Sequence, residues 1–155
     1  MVDGNGKIML YVGVNQRRAF LLRAFAEWNY EIEIVEIFKP NVDFCKRFYA
    51  FPIIHGDICK ADEILTKQYD IIAWIHGPEH IDKSKLKLTL EGLEKHAKLI
   101  LMIVPEGHSP QGAVDNNKDE KHLWDPYPDD FKNLGYTVQR ETVNNKALVI
   151  WKYVR

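Results

Sequence analysis

Apolar residues along this chain fall into two kinds of segment that alternate from end to end. Short runs that are apolar almost throughout are typical of buried β-strands, whereas the stretches between them repeat apolar residues every three or four positions, as amphipathic helices do. This alternation predicts an α/β domain with a mostly parallel sheet, because parallel strands must be joined by crossover segments. The predicted strands span residues 7–13, 31–37, 51–57, 69–76, 98–104, 136–143 and 147–154.

Amphipathic stripes mark the predicted helices between these strands. Asn15 can cap the first helix, and Pro40 suits the first turn of the second. Further helices are predicted near residues 61–67, 86–97 and 129–134. The stripes expected to be buried are Leu21, Ala24, Phe25 and Trp28 in the first helix, Val42, Cys45 and Tyr49 in the second, and Leu86, Leu90, Leu93 and Ala97 in the fourth.

The sequence also indicates where two parts of the predicted sheet lie. Residues 69–76 are too continuously apolar for a strand with one wet face, which predicts a central strand covered on both sides. The last two strands are separated only by residues 144–146, Asn-Asn-Lys, which predicts an antiparallel hairpin. We expect one domain over residues 7–155, preceded by a polar, glycine-rich lead-in over residues 1–6.

Composition narrows the class of protein. With 155 residues, 46% of them apolar and 28% charged, and a formal net charge of -1, the chain has the balance of one globular domain and lacks the basic excess of nucleic-acid-binding proteins. Its two cysteines, Cys45 and Cys59, are too few for a disulfide framework and are interpreted as packing residues. No apolar run is long enough to span a bilayer or to act as a signal peptide. We therefore expect a cytoplasmic protein with neither a nucleic-acid nor a membrane partner.

Residues 76–80, HGPEH, match the H-x-x-E-H signature of inverted zinc proteases. Such a site needs both histidines on one helical turn, so that their rings converge on one metal. Proline pushes the residue before it out of the α region, and a helix that starts at Pro78 therefore cannot extend back to His76. The spacing also offers no convincing third ligand. We expect no metal here, and a turn that follows the fourth strand.

Residues suited to ligand contact gather where the predicted strands end. They are Gly13, Glu36, Asp57, His76, Glu79, His80, Glu106 and His108. In an open α/β sheet, ligands bind at the carboxyl edge, near the point where the strand order reverses. The opposite edge offers mainly turn residues such as Asn29 and Tyr30. The carboxyl edge is therefore the expected active edge.

The segment over residues 105–128 is a long connection without clear periodicity. Connections of this length in a compact domain are usually functional lids or disordered segments. Its polar and aromatic side chains favour a lid. The residues expected to contact a substrate, which we take to be a small molecule, are His108, Gln111, His122 and Trp124. For each histidine taken alone, a hydrogen-bonded loop or core position is the competing interpretation.

The order of strands and helices resembles that of the class I S-adenosylmethionine-dependent methyltransferases over nearly the whole chain. In that family the first strand ends in an acidic, glycine-rich turn, the second in a carboxylate for the ribose hydroxyls, and an aspartate after the third reaches the adenine. The matching positions are Gly13, Glu36 and Asp57, with Ile58 completing the adenine-side motif HGDI. The resemblance implies a Rossmann-like methyltransferase fold, with a twisted sheet flanked by helices, that binds S-adenosylmethionine and methylates a small acceptor.

The chain departs from the family's pattern around its first strand. The family has an acidic residue two positions before the glycine and further glycines after it, whereas YVGVNQR has Tyr11, Asn15 and Arg17 there. Arg17 and Arg18, near a predicted helix N-terminus, are suited to contact a carboxylate or phosphate, or are ordinary surface residues. The chain also resembles a small subgroup of the family with HGPEH after the fourth strand and P-x-G-x-x-x-Q-G after the fifth, here residues 105–112.

The resemblance places a catalytic or substrate-facing loop at HGPEH. Methyl transfer from a sulfonium is an in-line displacement, which requires a proton acceptor when the nucleophile is a hydroxyl or an amine. His76 or His80 is expected to be that base, with Glu79 orienting one of them. Two alternatives remain. One is a non-catalytic domain that binds a nucleotide or a protein through a degenerate cofactor motif, and the other is a dinucleotide-binding oxidoreductase, which the missing G-x-G-x-x-G disfavours.

Overall fold

A computed structural model describes residues 6–16, 19–141 and 146–154, and within them one seven-stranded sheet flanked by helices. The strands are β1 (Lys7–Val12), β2 (Tyr30–Glu36), β3 (Ile53–His55), β4 (Tyr69–Ile75), β5 (Ala97–Pro105), β6 (Thr137–Glu141) and β7 (Ala147–Tyr153). The helices are α1 (Phe20–Glu27), α2 (Lys39–Phe48), α3 (Ala61–Ile64), α4 (Leu86–Glu94) and α5 (Pro128–Lys132). Most of the predicted lead-in and of the hairpin turn lies outside the described residues.

The strands lie in the order β3-β2-β1-β4-β5-β7-β6. Neighbours among β1 to β5 are parallel, whereas β7 is antiparallel to both β5 and β6. The order reverses between β1 and β4, so the connections that follow these two strands pass to opposite faces of the sheet and leave a crevice at its carboxyl edge. The predicted Rossmann-like arrangement is confirmed, including its C-terminal antiparallel pair.

Apolar layers cover both faces of the sheet. One layer contains side chains of α4 and α5, and the other contains side chains of α1 and α2. Because successive side chains of a strand point to opposite faces, β4 contributes to both layers, with Ile72 and Trp74 in the first and Ile71 and Ala73 in the second. The predicted central position of β4 is confirmed. Its burial fixes the register of the carboxyl edge, because a shift by one residue would exchange the two layers.

The predicted stripes are confirmed for the residues that lie within α2 and α4, whereas Tyr49 follows α2 as its C-cap and is only half-buried. The predicted residues that are buried there are Val42, Cys45, Leu86, Leu90 and Leu93. Pro40 lies in the first turn of α2, as predicted, where its missing N–H costs no helical hydrogen bond. Ala97 is buried too, but it begins β5 because the helix ends at Glu94.

The prediction is wrong in several respects for α1. The helix begins at Phe20, and no side chain caps its N-terminus. Asn15 is engaged elsewhere, since its amide donates to Glu120 Oε1 at 3.3 Å. The buried residue of this helix is Leu22, and Trp28, expected in the buried stripe, is 48% exposed. A helix of about two turns presents only a narrow face to the sheet, and spacing alone does not identify that face.

Smaller differences lie at the edge of the sheet beyond β2. The predicted strand over residues 51–57 is reduced to the three residues of β3, which as an edge strand pairs only with β2. The helix predicted over residues 61–67 ends at Ile64. Among the described residues, no helix is long and apolar enough to cross a membrane.

Candidate active site

A cavity of about 280 Å³, called cavity A below, opens over the carboxyl ends of β1, β2 and β4. Every residue that the sequence analysis assigned to a cofactor lines it, and these are Gly13, Glu36, Asp57 and Ile58. The strand-end residues therefore meet in one place. Their convergence follows from the reversal of strand order, which leaves the ends of β1 and β4 uncovered by a crossover helix.

Gly13 turns the chain directly after β1. Its φ of 72° lies in the left-handed region, and its N–H donates to Val35 O at 2.9 Å. A Cβ at this position would meet nothing within 4 Å, so the need for glycine is conformational and the space beside it is open to a ligand. Arg17 and Arg18, considered as anion contacts, lie outside the described residues.

Glu36 ends β2 with both carboxylate oxygens held by backbone donors. Oε2 accepts the Val14 N–H at 2.8 Å, and Oε1 accepts the Phe38 N–H at 2.6 Å. Each oxygen keeps a second lone pair for another donor. Burial raises the pKa of Glu36 to about 7, with a smaller contribution from the carboxylates of Glu120 and Asp119 and against the lowering effect of the two N–H groups. The carboxyl group is therefore close to the boundary between its neutral and charged forms near neutral pH.

Asp57 and Ile58 form the far end of cavity A. Asp57 Oδ1 accepts the Cys59 N–H at 2.9 Å and so caps the short 3₁₀ turn that follows. Ile58 is buried and contributes an apolar wall. Burial raises the pKa of the thiol of Cys59, and it raises that of Cys45 to about 11. Both cysteines are therefore protonated near neutral pH, in line with a packing role.

Two acidic residues that were not predicted from the sequence also line cavity A. Asp119 and Glu120 line the cavity from the connection after β5, in a 3₁₀ turn whose N-cap is Asn117. The bond from Asn15 to Glu120 joins this connection to the segment after β1. Tyr11, at the position where the sequence lacks an acid, is a buried core residue. The acids at 119 and 120 follow no strand directly, so the pattern of strand ends could not identify them.

His76 follows β4 in a conformation that is uncommon for a residue with a side chain. Its φ is 51°, and its N–H donates to Ile103 O at 2.7 Å, which extends the pairing of β4 with β5 by one residue. Backbone conformations of this kind cluster at functional sites. The imidazole is 32% exposed and lines cavity A.

Gly77 and Pro78 turn the chain away from the sheet. A Cβ on Gly77 would lie 1.8 Å from Trp74 Nε1, so only glycine lets the turn fold over this indole. Pro78 begins a 3₁₀ turn that ends at His80. As predicted, this turn does not extend back to His76.

Glu79 is the buried centre of the same turn. Its side chain has no exposed surface, and neither carboxylate oxygen has a hydrogen-bond partner among the described residues. Oε1 lies 3.5 Å from His76 Nδ1 and 3.9 Å from His122 Nε2. The rings of His80 and His122 are 4.9 Å apart. Three imidazoles therefore surround one buried carboxylate, and one of them comes from the connection after β5.

A second cavity of about 400 Å³, called cavity B, adjoins the first. Its lining includes His76, His80, His108, Gln111 and His122. Gln111 is fixed by its side-chain amide, which donates to Glu120 O at 2.7 Å. The side chain of His108 is 77% exposed, and its Nδ1 lies 3.2 Å from Asp125 Oδ2. Three of the four residues predicted to contact a substrate are thus brought together.

Trp124, the fourth of those residues, faces the core instead. Its Nε1 donates to Pro78 O at 3.1 Å, and its ring lies 6.1 Å from that of Phe131. The neighbouring Leu123 N–H donates to Glu79 O at 2.9 Å. We therefore assign Trp124 to anchoring the connection after β5 on residues 76–79, called the HGPE turn below, and no longer to substrate contact.

The two cavities share a wall. His76 and His80 line both of them. Cavity A offers carboxylates, which accept hydrogen bonds from hydroxyl and amine groups, whereas cavity B offers imidazoles, which accept protons near neutral pH. The arrangement suits a reaction between a polar ligand in cavity A and a second ligand in cavity B.

The fold is similar to that of solved methyltransferases. An S-adenosylmethionine-dependent methyltransferase from Archaeoglobus fulgidus has a TM-score of 0.72 at 17% identity, over 96% of this chain and 87% of that protein. A second similar structure is the 1,6-didemethyltoxoflavin-N1-methyltransferase of Burkholderia thailandensis, solved with 1,6-didemethyltoxoflavin and S-adenosylhomocysteine bound. Its TM-score is 0.70 at 14% identity, over 97% of this chain and 72% of that enzyme. TehB from Haemophilus influenzae has a TM-score of 0.69 at 11% identity, over 96% of this chain and 58% of TehB.

No protein-family model and no curated protein matches the sequence. At sequence identities of 11–17%, structural similarity establishes the fold and not the activity. The chain has the Rossmann-like fold of the S-adenosylmethionine-dependent methyltransferases.

Proposed function

We propose that this protein is an S-adenosylmethionine-dependent methyltransferase that acts on a small acceptor. The observation that carries the proposal is the wall of His76 and His80 between cavities A and B. Methyl transfer needs two adjoining sites with a proton acceptor at their border, because the methyl group must point at the acceptor while a base takes its proton. The Burkholderia enzyme of the same fold, which holds the demethylated cofactor, supports this choice.

In cavity A, the cofactor would be held mainly by the strand-end residues. Glu36 would accept hydrogen bonds from the ribose hydroxyls with the lone pairs that Val14 and Phe38 leave unused. Asp57 and Ile58 would meet the adenine with a polar and an apolar surface respectively.

The amino group and sulfonium of the cofactor are positively charged, and β1 supplies no acid to meet them. Asp119 and Glu120 bring carboxylates to cavity A from the connection after β5. We propose that these two residues take the part of the missing acid. Attraction between opposite charges in a partly enclosed cavity is stronger than in bulk water.

At the border, His76 is the proposed base. Glu79 Oε1 lies 3.5 Å from its Nδ1, which favours a proton on Nδ1 and leaves Nε2 as the proton acceptor. The bound cofactor would supply an electrophilic methyl group and would keep the electron pair of the broken bond on its sulfur, and the imidazole of His76 would take the proton that the acceptor's oxygen or nitrogen loses. His80 lines both cavities as well and is the alternative base.

The proposal is tested by calorimetric titration with S-adenosylmethionine, S-adenosylhomocysteine and NAD, followed by methyl-transfer assays on a panel of small hydroxyl and amine acceptors. We expect both sulfur compounds to bind and NAD not to bind. Failure of S-adenosylmethionine to bind the folded protein would overturn the proposal.

A second candidate, a binding domain without catalysis, is favoured by one observation. The buried Tyr11 occupies the place of an acid that class I methyltransferases carry. This candidate predicts that a ligand binds in cavity A. It also predicts no methyl transfer, in wild type or in a His76 variant. The same titration combined with a His76 variant therefore separates the two candidates.

A further inference from the structure

We propose that Glu79, His80 and His122 form a binding site for one divalent transition-metal ion of the zinc class. One ligand atom of each residue lies within 4.8 Å of one ligand atom of each of the others. The expectation of no metal rested on Gly77-Pro78, which keeps His76 and His80 off one helical turn, and on the absence of a third ligand. The site proposed here does not use His76, and His122 supplies a third ligand from the connection after β5. The proposal does not depend on the proposed methyl transfer.

The first argument concerns the charge on Glu79. The carboxyl group is fully buried, and its oxygens have no hydrogen-bond partner among the described residues. A buried carboxylate is costly unless a cation or several donors compensate it. A metal ion bound between Glu79, His80 and His122 would supply that compensation.

The second argument concerns the protonation of the two histidines. His80 Nδ1 lies 3.2 Å from Lys121 O, and His122 Nδ1 is hydrogen-bonded to Ser109 O. A carbonyl oxygen only accepts, so both Nδ1 atoms donate, and in a neutral imidazole this leaves the lone pair on Nε2, where a metal can bind. Metal-binding histidines usually donate their second N–H to a carbonyl or carboxylate in this way, which fixes the tautomer and the ring.

The third argument concerns distance. Zinc lies about 2.0–2.2 Å from nitrogen and oxygen ligands, which places tetrahedral ligand atoms roughly 3.4 Å apart. His122 Nε2 and Glu79 Oε1 are 3.9 Å apart, and the three ligand atoms lie within 4.8 Å of one another, so side-chain rotations would have to shorten these separations to about 3.4 Å to close the site. Glu120 Oε2, 3.9 Å from His80 Nε2, adds a second negative charge that favours a cation.

The site would keep one open position. Three protein ligands leave a fourth coordination position of a tetrahedral ion for water or a substrate. His80 and His122 both line cavity B, so a bound ion would be reached from that cavity.

The test uses the full chain after removal of metal with a chelator, titrated with Zn²⁺ in competition with a chromophoric chelator. We expect one equivalent to bind, and His122→Ala and Glu79→Gln each to weaken binding about 100-fold or more, since each loses one of three ligands. His96→Ala is the matched control. His96 resembles the proposed ligands, because its Nδ1 is hydrogen-bonded to Lys67 O and its Nε2 lies 3.9 Å from a carboxylate oxygen of Asp62. It belongs to no group of three possible ligands among the described residues, so its loss should not change zinc affinity.

Two further measurements keep the result interpretable if a variant folds poorly. Co²⁺ bound in place of Zn²⁺ should give the visible absorption of a tetrahedral site in wild type and in His96→Ala, and not in His122→Ala. In chelator, Glu79→Gln should melt at a higher temperature than wild type, because it removes the buried charge. Added Zn²⁺ should raise the melting temperature of wild type and should not raise that of Glu79→Gln.

Wild type that binds less than one equivalent of zinc, or His122→Ala that binds it as tightly as wild type, would overturn the proposal. Either result would mean that protonated histidines compensate Glu79 instead. Titration of the same samples with S-adenosylhomocysteine separates this failure from a failure of the proposed methyl transfer, because cavity A does not include Glu79 or His122.

Discussion

The two cavities at the carboxyl edge are built from different kinds of structure. Cavity A is formed largely by residues that end strands, such as Glu36, whose carboxylate is held by two backbone N–H groups close to it in sequence or in the sheet. Cavity B is formed mainly by His76, His80 and the connection after β5, with the facing ends of β5 and β7 at its border, and His122 is placed there beside the buried Glu79. The sheet thus prepares one binding site, whereas the other exists only when two irregular segments are packed together.

The largest expected effect comes from His76, which belongs to both cavities. His76→Ala should lower methyl transfer roughly 10²- to 10⁴-fold, the usual contribution of a positioned base, while changing the affinity for S-adenosylhomocysteine little. Assays of turnover and calorimetry on the same samples check this, with His96→Ala as the control.

A second variant separates the loss of the base from backbone strain at the same position. Asparagine tolerates positive φ better than alanine, so His76→Asn should keep the fold but lose turnover as fully as His76→Ala. Turnover retained in His76→Asn would show that the imidazole is not the base.

Gly77 tests whether the wall between the cavities depends on packing. Gly77→Ala should destabilise the protein by roughly 3 kcal/mol, because the new Cβ would overlap the indole of Trp74. Gly112→Ala is the control, since a Cβ there meets nothing within 4 Å. Chemical denaturation measures both, and equal stability of the two variants would contradict the packing described here.

Glu36 tests cavity A by itself. Glu36→Ala should weaken S-adenosylmethionine and S-adenosylhomocysteine alike by roughly 1.5–3 kcal/mol, because a charged acceptor is removed from the ribose in both. Glu31→Ala, an exposed change at the other end of the same strand, should leave both affinities unchanged. If Glu36→Ala binds as wild type does, the ribose lies elsewhere.

The smallest predicted effect is a pH dependence of cofactor binding. The pKa of Glu36 is raised to about 7, and ribose hydroxyls donate to its charged form, so affinity for S-adenosylhomocysteine should fall about tenfold from pH 8 to pH 6. Calorimetry at both pH values should show no such fall in Glu36→Gln.

Stability without ligand should change in the opposite direction. A carboxyl whose pKa is higher in the folded than in the unfolded state contributes stability that is present below its ordinary pKa and is lost as the pH rises through 7. The contribution of Glu36, measured as the difference between wild type and Glu36→Gln, should therefore increase from pH 8 to pH 5.

The sequence predicted for a physical reason which strand-end residues meet in cavity A, whereas their contact with a cofactor stays a prediction. A continuous apolar run can be recognised as a strand, and the polar residue after it then has a defined place at the edge of the sheet. Glu36 and Asp57 were identified in this way. The demand for glycine at position 77 comes from contact with Trp74, which the spacing of residues does not indicate.

The sequence predicted less where segments without periodicity meet. Nothing in the spacing of residues indicates that His122 approaches Glu79, or that Glu120 reaches cavity A. The start of α1 was misplaced for the same reason, because Asn15 pairs with Glu120 and not with the helix. Contacts of this kind depend on how a long connection packs, and each one involves side chains that are compatible with many other partners.

The two hydrogen bonds from Leu123 and Trp124 to the HGPE turn give the connection after β5 a kinetic role. We expect that breaking these bonds would let His122 move away from Glu79 and would open cavity B on the side of the connection. In the proposed methyl transfer, ligand entry and the assembly of the reactive groups would then be one motion, and turnover would be limited by the opening rate if chemistry is faster. The amide of Leu123 is the natural reporter of this motion, because its hydrogen exchange is protected only while the connection is closed.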